Sequence, residues 1–141
     1  MNRPREPWSE SIQKRWAKPG ISSIVAQMNL EEVSDERGAV IRLEGEADLA
    51  AVPLFQEAMR AKASAAEPRL VVDFSGVTFV NTPIWAVLVE YYQATTENGT
   101  SFAVAGLQPR VAASYDIVRL GDFIPAFGTV DEALDSLTAA S

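Results

Sequence analysis

Residues 22–34 place Ile24, Ala26, Met28, Leu30 and, after a slip of one position, Val33 at near two-residue spacing, the pattern of a strand with one buried face. The cluster Ser34-Asp35-Glu36-Arg37-Gly38 turns the chain into a second strand, Ala39 to Leu43, so the first element predicted is a β-hairpin. Leu49, Val52, Leu54, Phe55, Ala58 and Met59 then recur at helical spacing. They predict a helix from about Leu49 to Ala63, capped by Asp48, with Pro53 within its first turn or so. Arg69 to Phe74 is an almost continuous apolar run, typical of a strand covered on both faces, and Ser75-Gly76-Val77 reads as a loop leading to Thr78-Phe79-Val80-Asn81.

Thr82-Pro83 predicts the start of a second helix running to about Glu97, with Thr82 at the N-cap and Pro83 at the first helical position, where no N–H is needed. Asn98-Gly99 closes it. Phe102 to Ala105 is another buried-type strand, Gln108 to Leu120 a third helix ended by Gly121, and Val130 to Leu137 a last helix with Asp131 and Glu132 in its first turn. The order β-β-α-β-α-β-α-α predicts an α/β fold, a mixed sheet packed with about four helices. Neither an internal repeat nor a low-complexity tract interrupts it.

The helix after Thr82 is the least ordinary element, because apolar residues occupy two neighbouring stripes of its surface. Trp85, Leu88, Val89 and Tyr92 form one; Ile84, Val87 and Tyr91 form the other. One stripe satisfies the sheet. The second is expected to be exposed for docking and to need cover from another helix, the N-terminal arm or a second molecule, so a homodimer is one expectation.

Residues 1–20 form that arm, with three of the eight prolines, two of the three tryptophans, and five basic against two acidic side chains. Trp8, Ile12 and Trp16 are spaced to share one face of a short helix that packs on the domain or on a dimer neighbour. The other 121 residues hold seven basic and seventeen acidic side chains, so the body repels nucleic acid and anionic membrane.

The 141 residues suffice for one ordinary domain with a real core. The absence of histidine and cysteine excludes a Ser-His-Asp triad, a thiol nucleophile, a His/Cys zinc site and a disulfide framework. Glu44, Glu46, Asp48 and Asp73 have no nucleophile or convergent ligand set at motif spacing, so no enzyme activity, metal or cofactor is expected. With no apolar window of about 18 residues and no apolar signal core near the N-terminus, a cytoplasmic protein without membrane insertion is expected.

Several segments, in order, resemble the STAS domains of anti-sigma factor antagonists: Leu43-Glu44-Gly45-Glu46-Ala47-Asp48, then Leu70-Val71-Val72-Asp73-Phe74-Ser75-Gly76-Val77, Phe79-Val80, Asn98-Gly99 and Val130-Asp131-Glu132-Ala133-Leu134. The resemblance covers about Ala39 to Leu137 and implies a STAS-type domain over residues 21–141, preceded by the arm of residues 1–20. It also implies partner switching: the unphosphorylated protein sequesters an anti-sigma factor that is also a serine/threonine kinase, the kinase phosphorylates it, and a phosphatase resets it. The family's Asp-Ser-Ser/Thr-Gly stretch falls on Asn81-Thr82-Pro83-Ile84, which places Thr82 on the phosphoacceptor position. Asn81 replaces the acidic residue, Pro83 removes a backbone N–H, and Ile84 replaces a glycine.

The implied docking surface comprises Glu46, Asp48, Asp73, Asn81 and Pro83, extended by the stripe Ile84, Val87 and Tyr91. Thr82-Pro83 is equally a good helix start with no further role, and Asp48 is most simply a cap. The alternative function is a constitutive oligomeric scaffold, associated with a stressosome or a transporter, without phospho-switching.

Overall fold

A computed structural model describes residues 27–140. Trp8, Ile12 and Trp16 therefore lie outside the described residues. The strands are β1 (Gln27–Asp35), β2 (Gly38–Ala47), β3 (Arg69–Val80), β4 (Ser101–Ala105) and β5 (Ala126–Phe127). The helices are α1 (Val52–Ser64), α2 (Thr82–Thr95), α3 (Pro109–Ile117) and α4 (Val130–Ala140). The strands lie in the order β1-β2-β3-β4-β5, with β1 antiparallel to β2 and every later pairing parallel. This is the mixed α/β sheet with four helices that the periodicity predicts.

One face of the sheet buries Ile41, Leu43, Leu70, Val72 and Phe74 under α1, α2 and α3. Phe55 and Met59 of α1 join Ile84, Trp85 and Leu88 of α2 in this core. At its heart Trp85 packs between Phe74 and Tyr115, at ring-centroid distances of 5.5 and 5.4 Å, and the indole N–H donates to Ser114 Oγ at 2.8 Å. The other face buries Val40, Val71, Ala103 and Ala105 beneath Ala133, Leu134 and Leu137 of α4. Arg37, in the hairpin turn, ties that helix down through Asp131 at 3.0 Å and Asp135 at 3.1 Å.

Five elements differ from the sequence pattern. α1 opens at Val52 rather than Leu49, because Asp48 caps a 3-10 turn, Leu49–Ala51, that precedes it. β3 does not break at Ser75-Gly76-Val77; pairing of Gly76 with Glu44 and Val77 with Gly45 carries the strand through, and its surplus residues are absorbed as two bulges. Space at Gly76 is tight: a Cβ would meet Glu44 Cγ at 2.7 Å and displace that side chain. β2 extends to Ala47, beyond the expected Leu43. α3 ends at Ile117, and Leu120–Asp122 forms a separate 3-10 turn. β5 is only two residues long, too short to leave a periodic signal, and is held by its pairing with Val104 and Ala105.

The two apolar stripes of α2 are accounted for within the domain. One side meets the sheet; α1 lies along the other, locked by Arg60 and Gln56 on the Glu90 carboxylate at 2.8 and 3.2 Å. Ile84, Val87 and Tyr91 are consequently buried, at 0, 4 and 2% exposure. They are not an exposed docking stripe. Hydrophobic spacing shows that a face needs cover but not which element supplies it.

Candidate functional site

Parallel β2 and β3 end side by side, with Glu46 opposite Phe79 and Ala47 opposite Val80. The Asn81 backbone N–H continues this pairing by donating to the Ala47 carbonyl at 2.8 Å. Two chain reversals therefore leave the sheet at one edge. After β2, Asp48 caps the 3-10 turn Leu49–Ala51, its Oδ1 accepting from the Ala51 N–H at 3.2 Å. After β3, the chain passes through Asn81 directly into α2.

Thr82 is exposed at this edge, although not as the N-cap that the Thr-Pro pair predicts. Asn81 occupies the cap, in extended backbone and without a side-chain cap bond, because its pairing with Ala47 holds it in strand geometry; Thr82 is the first helical residue. Among the described residues no hydrogen bond engages the Thr82 hydroxyl, which leaves it open to solvent. Pro83 offers no N–H, and the Ile84 N–H already donates to the Asn81 carbonyl at 2.9 Å. No acidic residue occupies the first turn of α2, so the positive end of its dipole has no carboxylate of its own.

Glu46 is exposed and Asp48 half-buried on the neighbouring turn, with Asn81 and Pro83 half-buried beside Thr82. The structure thus brings Glu46, Asp48, Asn81, Thr82 and Pro83 to one edge. Asp73 sits elsewhere. It lies seven positions before Val80, level with Ala105 at the end of β4, and is 5% exposed. Its Oδ2 accepts from Arg42 Nε at 3.2 Å and its Oδ1 from the Ser75 N–H at 2.9 Å, so its bonds hold the sheet.

Phe79 is the residue of this edge that sequence reasoning missed. It is 43% exposed beside Glu46, while its neighbour Val80 is buried. The apolar pair Phe79-Val80 reads as core, and only the bulge in β3 decides which of the two turns outward. Leu49, expected on the buried face of a helix, is likewise 63% exposed because a 3-10 turn replaces the first helical turn.

Among the described residues no three His, Cys, Asp or Glu side chains converge as metal ligands, and no helix is long and apolar enough to cross a membrane. The edge has no nucleophile paired with a base. It can present a hydroxyl, carboxylates and an aromatic side chain to another surface.

A model of the STAS domain family matches residues 27–133. No curated protein matches the chain. Among solved structures, the fold is similar to that of an anti-sigma factor antagonist from Mycobacterium paratuberculosis, with 22% identity over 81% of this chain and 98% of that one and a TM-score of 0.74. It is similar to phosphorylated SpoIIAA, the Bacillus cell fate determinant, with 18% identity over 77% of this chain and 98% of that one and a TM-score of 0.61. A sulfate transporter family protein from Wolinella succinogenes matches at 11% identity over 72% of this chain and 87% of that one, with a TM-score of 0.62. At these identities each likeness is one of fold.

Proposed function

The chain belongs to the STAS domain family, and from that premise we propose that it is a non-enzymatic regulatory module that docks an anti-sigma factor of the serine/threonine-kinase kind and is switched by phosphorylation at Thr82. One observation carries the reading: the hydrogen bond from Asn81 to Ala47 sets the exposed Thr82 beside the Asp48 turn, making a single surface from two loops. Glu46, Asp48, Asn81 and Pro83 frame the docking site. In the switching step the γ-phosphoryl group of ATP passes to Thr82 Oγ1, the hydroxyl proton is released and ADP leaves.

A phosphoryl group adds about −1.5 to −2 charge at neutral pH. At the first residue of α2 it meets the positive end of the helix dipole, so the fold tolerates it. The docked partner does not. The new charge stands beside Glu46 and Asp48 in a contact shaped for a neutral hydroxyl, and the complex dissociates without unfolding. A phosphatase restores the binding form, and the cytoplasm, where such regulators meet their targets, is the proposed location.

The test mixes the protein with its cognate anti-sigma kinase, with and without ATP. Expected are a complex without ATP, one added phosphate by intact mass with ATP, and no added phosphate in Thr82→Ala. Absence of both complex and phosphate overturns the reading.

A second reading, a constitutive scaffold subunit in a stressosome- or transporter-associated assembly, is supported by Pro83 and Ile84 in place of the family's hydroxyl and glycine and by likeness in fold to the sulfate transporter family protein. Burial of Ile84, Val87 and Tyr91 removes the helix face on which such assembly was expected to rest. Light scattering separates the two readings, since a monomer that stays a monomer on concentration counts against the scaffold.

A further inference from the structure

The second face of the sheet is only partly covered. α4 lies over β3, β4 and β5, and beyond it the same face carries Glu44, Glu46 and Phe79, all exposed. The register places Glu46 against Phe79, and Glu44 between Asn29 and Gly76, so the three side chains form one acidic patch around an aromatic ring. Arg42, midway down this face, is engaged by Asp73 at 3.2 Å and Glu31 at 3.6 Å. Among the described residues no ion pair reaches Glu44 or Glu46.

The chain arrives at this patch from its N-terminal side. Gln27, the first described residue, opens β1 opposite Glu46, one strand spacing or about 4.8 Å from the acidic end of the sheet. Upstream lies the segment whose charge is opposite to the body's, with Lys14, Arg15 and Lys18 close in sequence to Trp8, Ile12 and Trp16. A connector of residues 21–26 spans at most about 20 Å, and residues 8–18 in helical form measure about 16 Å. Both lengths suit a segment that turns back over the strands beside it.

We infer that residues 8–18 dock in cis on this open face, with Trp8, Ile12 and Trp16 over Phe79 and the basic side chains toward Glu44 and Glu46. The apolar triplet removes an exposed ring from water, and the charge pairing fixes the direction of docking. The contact stands by itself. Its consequence, that a partner approaching Thr82 must first displace the arm, rests on the function proposed above.

The chain has no native cysteine, so Ala17→Cys in the full-length protein accepts a single nitroxide label. Paramagnetic broadening of the Glu44, Glu46 and Phe79 amides is expected at dilutions where the protein is a monomer. It is expected to vanish with Lys14→Glu/Arg15→Glu, changes in the arm that leave the domain core untouched, and with the surface pair Glu46→Lys/Phe79→Lys. Absent broadening overturns the inference. So does broadening that appears only between labelled and unlabelled chains in a mixture, which makes a second copy the occupant. Failure of an anti-sigma factor to bind leaves this readout unchanged, so the two proposals fail separately.

Discussion

The backbone N–H of Asn81 donates to the carbonyl of Ala47 at 2.8 Å, extending the pairing of β3 with β2 by one residue beyond the strands. This bond fixes where α2 begins and sets Thr82 against the turn that Asp48 caps. The Thr82 side of the candidate site rests on this backbone bond and the other side on the Asp48 side-chain cap, so a change at Thr82 separates binding from folding while one at Asp48 touches both.

Thr82→Glu places a fixed carboxylate at the first residue of α2, where the helix dipole accommodates it. Its unfolding free energy is expected within about 0.5 kcal/mol of the parent, while affinity for the anti-sigma factor falls at least about tenfold, or about 1.4 kcal/mol. Asp48→Ala loses the bond to the Ala51 N–H and is expected to cost about 1 kcal/mol of stability as well. Urea melts and calorimetric titration check the pair.

Ile84 is fully buried among α1, α2 and the sheet. Ile84→Ala is expected to destabilise by about 2–5 kcal/mol, through lost transfer energy and the cavity left behind. A variant that keeps full stability yet loses partner binding contradicts the placement of this side chain in the core.

Arg42 is the cation facing the buried Asp73 carboxylate, whose side chain is 7% exposed. Arg42→Met leaves that charge with only the Ser75 N–H for support and is expected to cost about 1–3 kcal/mol. Adding Asp73→Asn removes the uncompensated charge and recovers part of the loss. A double-mutant cycle measured by denaturant unfolding gives the coupling.

Tyr91 stacks edge-on against Phe102 at 4.8 Å, but no group among the described residues hydrogen-bonds its buried hydroxyl. Tyr91→Phe is therefore expected to leave stability unchanged or raise it by up to about 1 kcal/mol. Burial, assisted by the Glu67 carboxylate, pushes the Tyr91 phenol up to about 12 from its ordinary value of 10. A group raised in the folded state supports folding fully below its unfolded value and loses that support as pH rises through the folded one. The parent is expected to weaken between pH 10 and 12, and Tyr91→Phe to weaken less, by urea midpoints across that range.

Acid acts on a different group, in the hairpin turn. The Arg37 guanidinium beside Asp35 holds its carboxyl below the ordinary value of 3.8. The stability this gives is present above that value and is lost as pH falls through the lower folded one. Arg37→Ala is expected to flatten the dependence, and to speed amide hydrogen exchange in α4 by releasing Asp131 and Asp135.

Local chemistry by itself determined the hairpin, the helix opened by Thr82-Pro83 and closed at Gly99, and the mixed α/β class, because turn residues and hydrophobic periods act over a few positions. That Asp48 and Thr82 share an edge was implied by the resemblance to STAS domains; the residues themselves marked only a cap and a helix start. Tertiary structure decided the rest. Cover for Ile84, Val87 and Tyr91 comes from α1, more than twenty positions away in sequence, and pairing with Ala47 makes Asn81 the cap in place of Thr82. A bulge turns Phe79 outward, and Arg42 draws Asp73 into the sheet. Each outcome depends on which distant backbone or side chain arrives as neighbour, and a single strand or helix does not contain that information.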